Sequence, residues 1–215
     1  MNTIKNIYIF ILILLLNTSA NATKYYVNAE TGNDKNNGKS IQSTWKTLRK
    51  VSSTTFKPGD EILLASAQEF FGTINLKNQF GKKSKPIVIS SYSYNNNNDN
   101  PLINAKGFLN GIILTDCSFI EISGLTIKAN GGKKPKKGMR CGILYTSNTA
   151  GKYENITIKN CVIKDVFFEN ENFERGEKEV KTANGTQSYG WGIRFLMKNK
   201  SSLKNVFIKS NRVEN

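Results

Sequence analysis

Ile120-Glu121-Ile122-Ser123-Gly124-Leu125-Thr126-Ile127 is repeated in kind by Ile156-Thr157-Ile158-Lys159-Asn160-Cys161-Val162-Ile163 and by Val206-Phe207-Ile208-Lys209-Ser210-Asn211-Arg212-Val213. Each copy holds two short strands with period-two alternation, joined by one small corner residue: Gly124, Asn160 or Ser210. A further strand precedes each copy: Gly111-Ile112-Ile113-Leu114, Gly142-Ile143-Leu144-Tyr145 and Gly192-Ile193-Arg194-Phe195. Three short strands per unit, sharp corners and no helical period describe the coil of a solenoid. Such a stack builds its binding surfaces on one lateral face.

Alignment of the copies shows where the coils differ. The step from second to third strand is constant, whereas the distance from Gly124 to Asn160 is shorter than that from Asn160 to Ser210. The extra residues fall at one junction, after a third strand and before the next first strand, in segments 129–140 and 166–190. Stacked insertions project from one edge, and in repeat folds such an edge is often the binding edge. The plainer alternative is a pair of tolerated surface loops. The first segment is basic, with Lys133, Lys134, Lys136, Lys137 and Arg140. The second is acidic, with Glu169, Glu171, Glu174, Glu177 and Glu179. The basic loop is therefore either a site for an anionic chain or a partner for the acidic loop beside it.

Outside the coils, the chain opens with Lys5, an apolar run from Ile7 to Leu16, and Ala20-Asn21-Ala22. This is the pattern of a secretory signal peptide, and the run is too short to span a bilayer as a helix. We expect residues 1–22 to be a signal peptide and 23–215 one solenoid domain, secreted or periplasmic, with no membrane contact after processing. Tyr25-Tyr26-Val27 reads as a strand, and Thr31 to Gly38 as a turn-rich loop. Ser43 or Thr44 is placed to cap a short helix carrying Trp45, Leu48 and Val51 on one face, which would cover the open end of the stack. Strands are expected at Glu61–Ala65, Thr73–Leu76, Pro86–Ser90 and Leu102–Asn104. The chain stops just after a third strand with nothing resembling a cap, so a longer protein is expected.

Composition narrows the chemistry. There is no His among the 215 residues. Ser-His-Asp and Cys-His schemes and H-E-x-x-H zinc sites are thereby excluded within this chain. Three Cys allow at most one disulfide. No zinc-type spacing and no nucleotide-binding motif is present. Cys161 shares the inward slot of Leu125 and Asn211, so it reads as a small apolar residue. The net charge of +15 fits a polyanionic partner, or simply a composition rich in Asn, Lys and Ile. Export and the lack of any nucleic-acid motif argue against a nucleic-acid partner.

The opening residues Tyr25-Tyr26-Val27, Gly32-Asn33-Asp34, Trp45-Lys46-Thr47-Leu48 and Lys57-Pro58-Gly59-Asp60 have a familiar arrangement. With Lys85-Pro86-Ile87-Val88-Ile89 and Ile120 to Leu125, they resemble the right-handed parallel β-helix, or pectate-lyase-like, superfamily. The resemblance covers Thr23 to Asn215. It implies an all-β, right-handed parallel β-helix solenoid with a short N-terminal capping helix. It also implies a sugar-binding groove along the first strands, walled by the two insertions. The fold hosts lyases, hydrolases and non-catalytic binding proteins alike. The paired Asp and Gly-His-Gly motifs of polygalacturonase-type hydrolases have no match here.

On that groove, strand parity sends Arg194 outward, in the row of Ile113 and Leu144 and beside Trp191. An Arg can hold a uronate carboxylate and a Trp can stack on a sugar ring. For β-elimination, Arg194, Lys198 and Tyr189 are the candidate catalytic residues. Lys133, Lys134, Lys136, Lys137, Arg140 and Trp191 are the candidates for substrate binding. Asp116 and Asp165 are candidate oxygen ligands, with calcium the candidate cofactor, since the lyase branches of the family often use it. The favoured expectation is a monomeric polysaccharide lyase acting on an anionic, uronate-containing polymer, or its N-terminal part. The alternatives are a glycan-binding or adhesin-like solenoid and a glycoside hydrolase on the same fold. The hydrolase would need two acids flanking one bond, and no convincing pair stands out.

Overall fold

The computed structural model describes residues 22–130, 140–166 and 190–214. Residues 1–21, 131–139, 167–189 and 215 lie outside it. The described chain winds through three parallel sheets, taken here in the order of the strands within each repeat. The first sheet stacks β4 (Ile74–Lys77), β7 (Asn110–Thr115), β10 (Arg140–Thr146) and β13 (Gly190–Leu196). The second stacks β1 (Lys24–Val27), β2 (Glu61–Ala65), β5 (Ile87–Tyr92), β8 (Ile120–Ser123), β11 (Lys152–Lys159) and β14 (Ser202–Lys209). The third stacks β3 (Glu69–Phe71), β6 (Leu102–Asn104), β9 (Thr126–Lys128), β12 (Val162–Lys164) and β15 (Arg212–Glu214). Every strand pair is parallel, and the chain visits the first, second and third sheets in turn. This is a parallel β-helix, right-handed as crossovers between parallel strands are.

The alternation in the sequence becomes stacked ladders inside the coil. Tyr25, Ile62, Ile89, Ile122, Ile158 and Ile208 stand in one register through the second sheet. Ile74, Ile112, Ile143 and Ile193 form a ladder in the first sheet. Phe70, Ile103, Ile127, Ile163 and Val213 form one in the third. Each rung lies about 4.8 Å above the last, so every aliphatic side chain packs on its own kind. Burial of each contributes about 1.5–3 kcal/mol. Burial depends on having a neighbour on both sides: Ile158 is 1% exposed, whereas Ile208, in the last coil, is 53% exposed.

Two stacks of left-handed residues turn the chain. The corner residues Gly124, Asn160 and Ser210 have φ of 64°, 53° and 53°. A second stack, just before β8 and within β11 and β14, comprises Phe119, Asn155 and Asn205 with φ of 57°, 59° and 56°. Small or amide residues adopt this region readily, but Phe119 does so against its preference, held in register with its neighbours. Where the chain enters the first sheet, Gly142 is required by close approach. A Cβ there would lie 2.3 Å from Cγ2 of Ile163 and 2.7 Å from the Gly192 carbonyl oxygen.

The inward slot Leu125–Cys161–Asn211 forms as the pattern predicts. Cys161 is 1% exposed. Asn211 accepts the Cys161 N–H at 2.9 Å and donates to the Ile158 carbonyl at 2.9 Å. Cys117, Cys141 and Cys161 are all buried and free. Burial pushes the thiols of Cys117 and Cys161 up to about 11 and that of Cys141 up to about 12, which keeps them unreactive.

The N-terminal cap departs from expectation in detail. The helix, α1 (Leu48–Ser52), is capped by Thr47 rather than by Ser43 or Thr44. Ile41–Ser43 is a 3-10 turn instead. Trp45 is extended, bridging to Val27 with its ring stacked on Tyr25 at 4.8 Å. The reason is Asp34: its carboxylate accepts the N–H groups of Lys46 and Thr47, each at 2.9 Å, and the Thr47 hydroxyl at 2.6 Å. That fixes the chain in extended form up to Thr47, and the helix starts only there. The expected covering of the stack holds: Trp45, Leu48 and Val51 are buried, and Ser52 Oγ accepts the N–H of Asn75 on the edge strand β4. Strand β3 is an addition that the sequence pattern did not reveal.

Truncating rungs tests the ladder. Ile122→Ala should destabilise the protein by about 2–5 kcal/mol in urea unfolding, and Ile208→Ala by less than about 1 kcal/mol. Equal losses at the two positions would mean that stacking is not what stabilises the coil.

Candidate functional site

The outward face of the first sheet is assembled from alternate residues of four strands. Asn75, Ile113, Leu144 and Arg194 stand in one register across β4, β7, β10 and β13. Parity thus places Arg194 as the sequence suggests, in the row of Ile113 and Leu144. Asn75 extends that row by one coil, which the sequence reading missed although Ile74-Asn75-Leu76 alternates as the others do. The Arg194 guanidinium lies over the Trp191 ring, 4.3 Å from its centroid. Trp191 in turn pairs in register with Cys141. A guanidinium parked on an indole face is oriented and partly desolvated, which sharpens its use as a hydrogen-bond donor. At the two ends of this face, Trp191 Nε1 and Asn75 Oδ1 are buried with no hydrogen-bond partner among the described residues. Buried polar atoms of this kind call for a water or a ligand group.

The connections into the first sheet lengthen along the stack. The connection entering β4 is Gly72–Thr73. Those entering β7, β10 and β13 are 105–109, 129–139 and 165–189. Both long segments occupy the single junction that the repeats predict, on the side from which the chain enters the first sheet.

The other candidates are dispersed. Tyr189 and Lys133, Lys134, Lys136 and Lys137 lie outside the described residues. Arg140, expected in a solvent-facing basic loop, is instead 3% exposed, and its Nη1 donates to the Asn130 carbonyl. It opens β10 and braces the base of the insertion. Lys198 follows β13 at the far edge of the sheet. Its backbone is clamped to the coil below, the N–H donating to Ser147 Oγ at 2.7 Å and the carbonyl accepting from it at 3.1 Å. It lies four residues along the chain from Arg194, past the end of β13 at Leu196. Asp116 and Asp165 sit at opposite edges of the first sheet, one leaving it and one approaching it. Asp165 pairs with Lys128 at 2.7 Å. Asp116 accepts the N–H groups of Asn148 and Thr149 at 2.9 and 3.3 Å. Neither is available to the other as a ligand partner. Among the described residues, no three or more His, Cys, Asp or Glu side chains gather as a metal site.

Several other carboxylates among the described residues are committed. Asp34 and Asp60 staple turns through backbone N–H groups. Glu61 and Glu121 pair with Lys24 and Lys159. The four strands of the first sheet contain no acidic residue. The described part of this face can therefore bind and orient a sugar chain, through one stacked Arg-Trp pair and an aliphatic strip, but does not itself present an acid–base pair.

Among known proteins, no protein-family model matches the chain. Its sequence is 25% identical over 197 residues to a lacto-N-biosidase of Bifidobacterium longum subsp. longum; the match covers 69% of this chain and 12% of that protein. The fold is similar to that of the GH136 lacto-N-biosidase from Eubacterium ramulus. In its selenomethionine form the TM-score is 0.72 at 21% identity, over 97% of this chain and 37% of that one. A rhamnogalacturonan lyase is similar at a TM-score of 0.51 and 12% identity, over 87% of this chain and 56% of that one. The chain thus spans well under half the length of both lacto-N-biosidases. At these identities the structural likenesses establish the β-helix fold and nothing finer.

Asp116 gives the described structure a pH dependence. Burial by itself would raise its carboxyl, but hydrogen bonds from the N–H groups of Asn148 and Thr149 and from the Tyr153 and Thr149 hydroxyls outweigh that, and the pKa is lowered. The folded value lies below the unfolded one, so this stabilisation is complete above about pH 4 and is lost as pH falls through the folded pKa. Asp116→Asn should lower the melting temperature at pH 7 and shrink the further drop on acidification below about pH 4. An unchanged acid limb would remove Asp116 from this role.

Proposed function

We propose that this chain is the β-helix part of an exported glycoside hydrolase that lays a glycan along the outward face of its first sheet. The observation carrying this reading is the sequence match to a lacto-N-biosidase, which runs through more than two thirds of the chain. The uncommitted polar atoms and the Arg194–Trp191 stack on that face support it. The lyase expectation yields to it: the likeness to a lyase is one of fold alone, whereas the sequence relative is a glycosidase. A hydrolase still requires two carboxyl groups about 5–10 Å apart across the scissile bond. The first-sheet strands hold none, so the described residues contribute binding and orientation. Export rests on the signal-peptide pattern of residues 1–22.

Two readouts on the purified full chain decide between the chemistries. Incubation with a lacto-N-bioside should release the disaccharide and a new reducing end. A uronate polymer should give no unsaturated, ultraviolet-absorbing product. Unsaturated product would reinstate β-elimination. Binding separates recognition from turnover: Trp191→Ala should weaken affinity for the lacto-N-bioside about tenfold in titration calorimetry, in line with the loss of one aromatic platform. Unaltered affinity would move the glycan off this face.

A further inference from the structure

Thr23, the residue before β1, is tied through both backbone groups to the start of β2. Its N–H donates to Asp60 Oδ1 at 2.9 Å, and its carbonyl accepts the Glu61 N–H at 2.9 Å. The other oxygen of that carboxylate, Oδ2, accepts the Lys57 N–H at 2.8 Å. Asp60 is 1% exposed, and none of the ion pairs among the described residues includes it. The nearby charged and titratable groups are placed otherwise. Lys24 pairs with Glu61 at 3.7 Å. The stem of Lys85 lies beside Gly59. The Tyr25 phenol is in electrostatic reach of Asp60 but is itself pushed up, by burial first and by Asp60 second, so it stays neutral. A carboxylate so deeply buried, with each oxygen met by a neutral N–H, calls for a counter-charge.

The sequence supplies one at the atom that already makes the contact. Ala20-Asn21-Ala22 is an A-x-A cleavage pattern, and the residue after it is Thr23. Hydrolysis there breaks the bond between the Ala22 carbonyl carbon and the Thr23 nitrogen. Water gives its hydroxyl to the carbon and a proton to the nitrogen. The new carboxyl then ionises and the amine is protonated, so the charge balances. Ala22 is exposed, so its departure opens no cavity. The Thr23 nitrogen changes from a neutral donor of one hydrogen to a cation with three.

We infer that cleavage between Ala22 and Thr23 switches on an ion pair between the Thr23 α-ammonium and the buried Asp60 carboxylate, which locks the N-terminal cap to the coils. β1 is the terminal strand of the second sheet. The cap rests on it, with Trp45 bridged to Val27 and stacked on Tyr25. Fixing the residue that enters β1 therefore fixes the surface on which the cap packs. The precursor has the hydrogen bond without the charge, so the chain gains its full cap only after export. The inference rests on the export reading of residues 1–22 and not on the hydrolase reading.

The test starts from the full chain expressed in an exporting bacterium. The exported product should have Thr23 as its first residue by N-terminal sequencing. The rate of acetylation of its α-amine, followed against pH by mass spectrometry of the N-terminal peptide, reads the titration of that group. The Thr23 amine should hold its proton at least about tenfold more tightly than an ordinary α-amino group, which titrates near 7.7–8.0. Asp60→Asn should return it to the ordinary range. Stability gives a second readout. The folded value lies above the unfolded one, so the pair stabilises fully below about pH 8 and is lost as pH rises through the folded value. The melting temperature should fall along that limb, and Tyr25→Phe should keep the fall. If Asp60→Asn does not fold, the titration of the unsubstituted protein and the Tyr25→Phe limb decide. An ordinary titration of the Thr23 amine, an equally tight proton in Asp60→Asn, or a first residue other than Thr23 would each overturn the inference. Retention of Met1 would overturn the export reading with it.

Discussion

The structure depends on one constraint: each coil must return to the same cross-section so that like residues stack. The ladder from Tyr25 through Ile62, Ile89, Ile122 and Ile158 to Ile208 is the physical form of that constraint. A β-branched side chain stacked on its own kind fills the interior without voids, and parallel hydrogen bonds keep it in register. The corners obey the same rule. Left-handed residues stack on left-handed residues at 119, 155 and 205 and at 124, 160 and 210. Glycines stack where the first-sheet strands begin, because Ile127, Ile163 and Val213 occupy the space a Cβ would need. Any coil that strayed from the common outline would lose its rung in all three sheets at once.

Because the constraint repeats, much of the fold is legible in a single sequence. Period-two strings mark the strands, small residues mark one set of corners, and aligned copies place Cys161 and Asn211 in one inward slot. The insertions fall at one junction because only a corner can lengthen without breaking a ladder. What could not be read arises from contacts between coils or from the cap. Phe119 carries no turn signature, and its left-handed backbone follows from the register with Asn155 and Asn205. Thr47 became the helix cap because Asp34, distant in sequence, takes the preceding N–H groups. β3 has three residues and no flanking pattern strong enough to mark it.

The site divides along the same line. The outward parity of Arg194 is a local property of its strand and was readable, as was its nearness to Trp191. The inward turn of Arg140 to the Asn130 carbonyl was not, since its charge in a basic run looks like that of its neighbours. Asp116 and Asp165 looked like ligands because only their residue type was visible. In three dimensions each has nearer business, with backbone N–H groups in one case and with Lys128 in the other. A carboxylate at a corner between strands is more often a staple than a metal ligand, because corners are where unpaired N–H groups collect.

A β-helix confines its chemistry in a way that bears on the proposed hydrolase. Inward positions belong to the ladders, so reactive groups can stand only on outward rows and in the corner segments. On the first sheet the outward row runs Asn75, Ile113, Leu144, Arg194, without an acid. The aliphatic middle of that row cannot polarise a glycosidic bond, but it can exclude water from one and lower the local dielectric for groups brought alongside. Arg194 and Trp191 at one end can fix the register of a sugar chain against it. Binding that is equal in ground and transition states does not speed a reaction. In the proposed hydrolase the contribution of this face to turnover would therefore be positional: it would hold the bond to be cleaved where carboxyl groups outside the first-sheet strands could flank it. Nearly all of that effect would be carried by orientation, to which a rigid stack of coils is well suited.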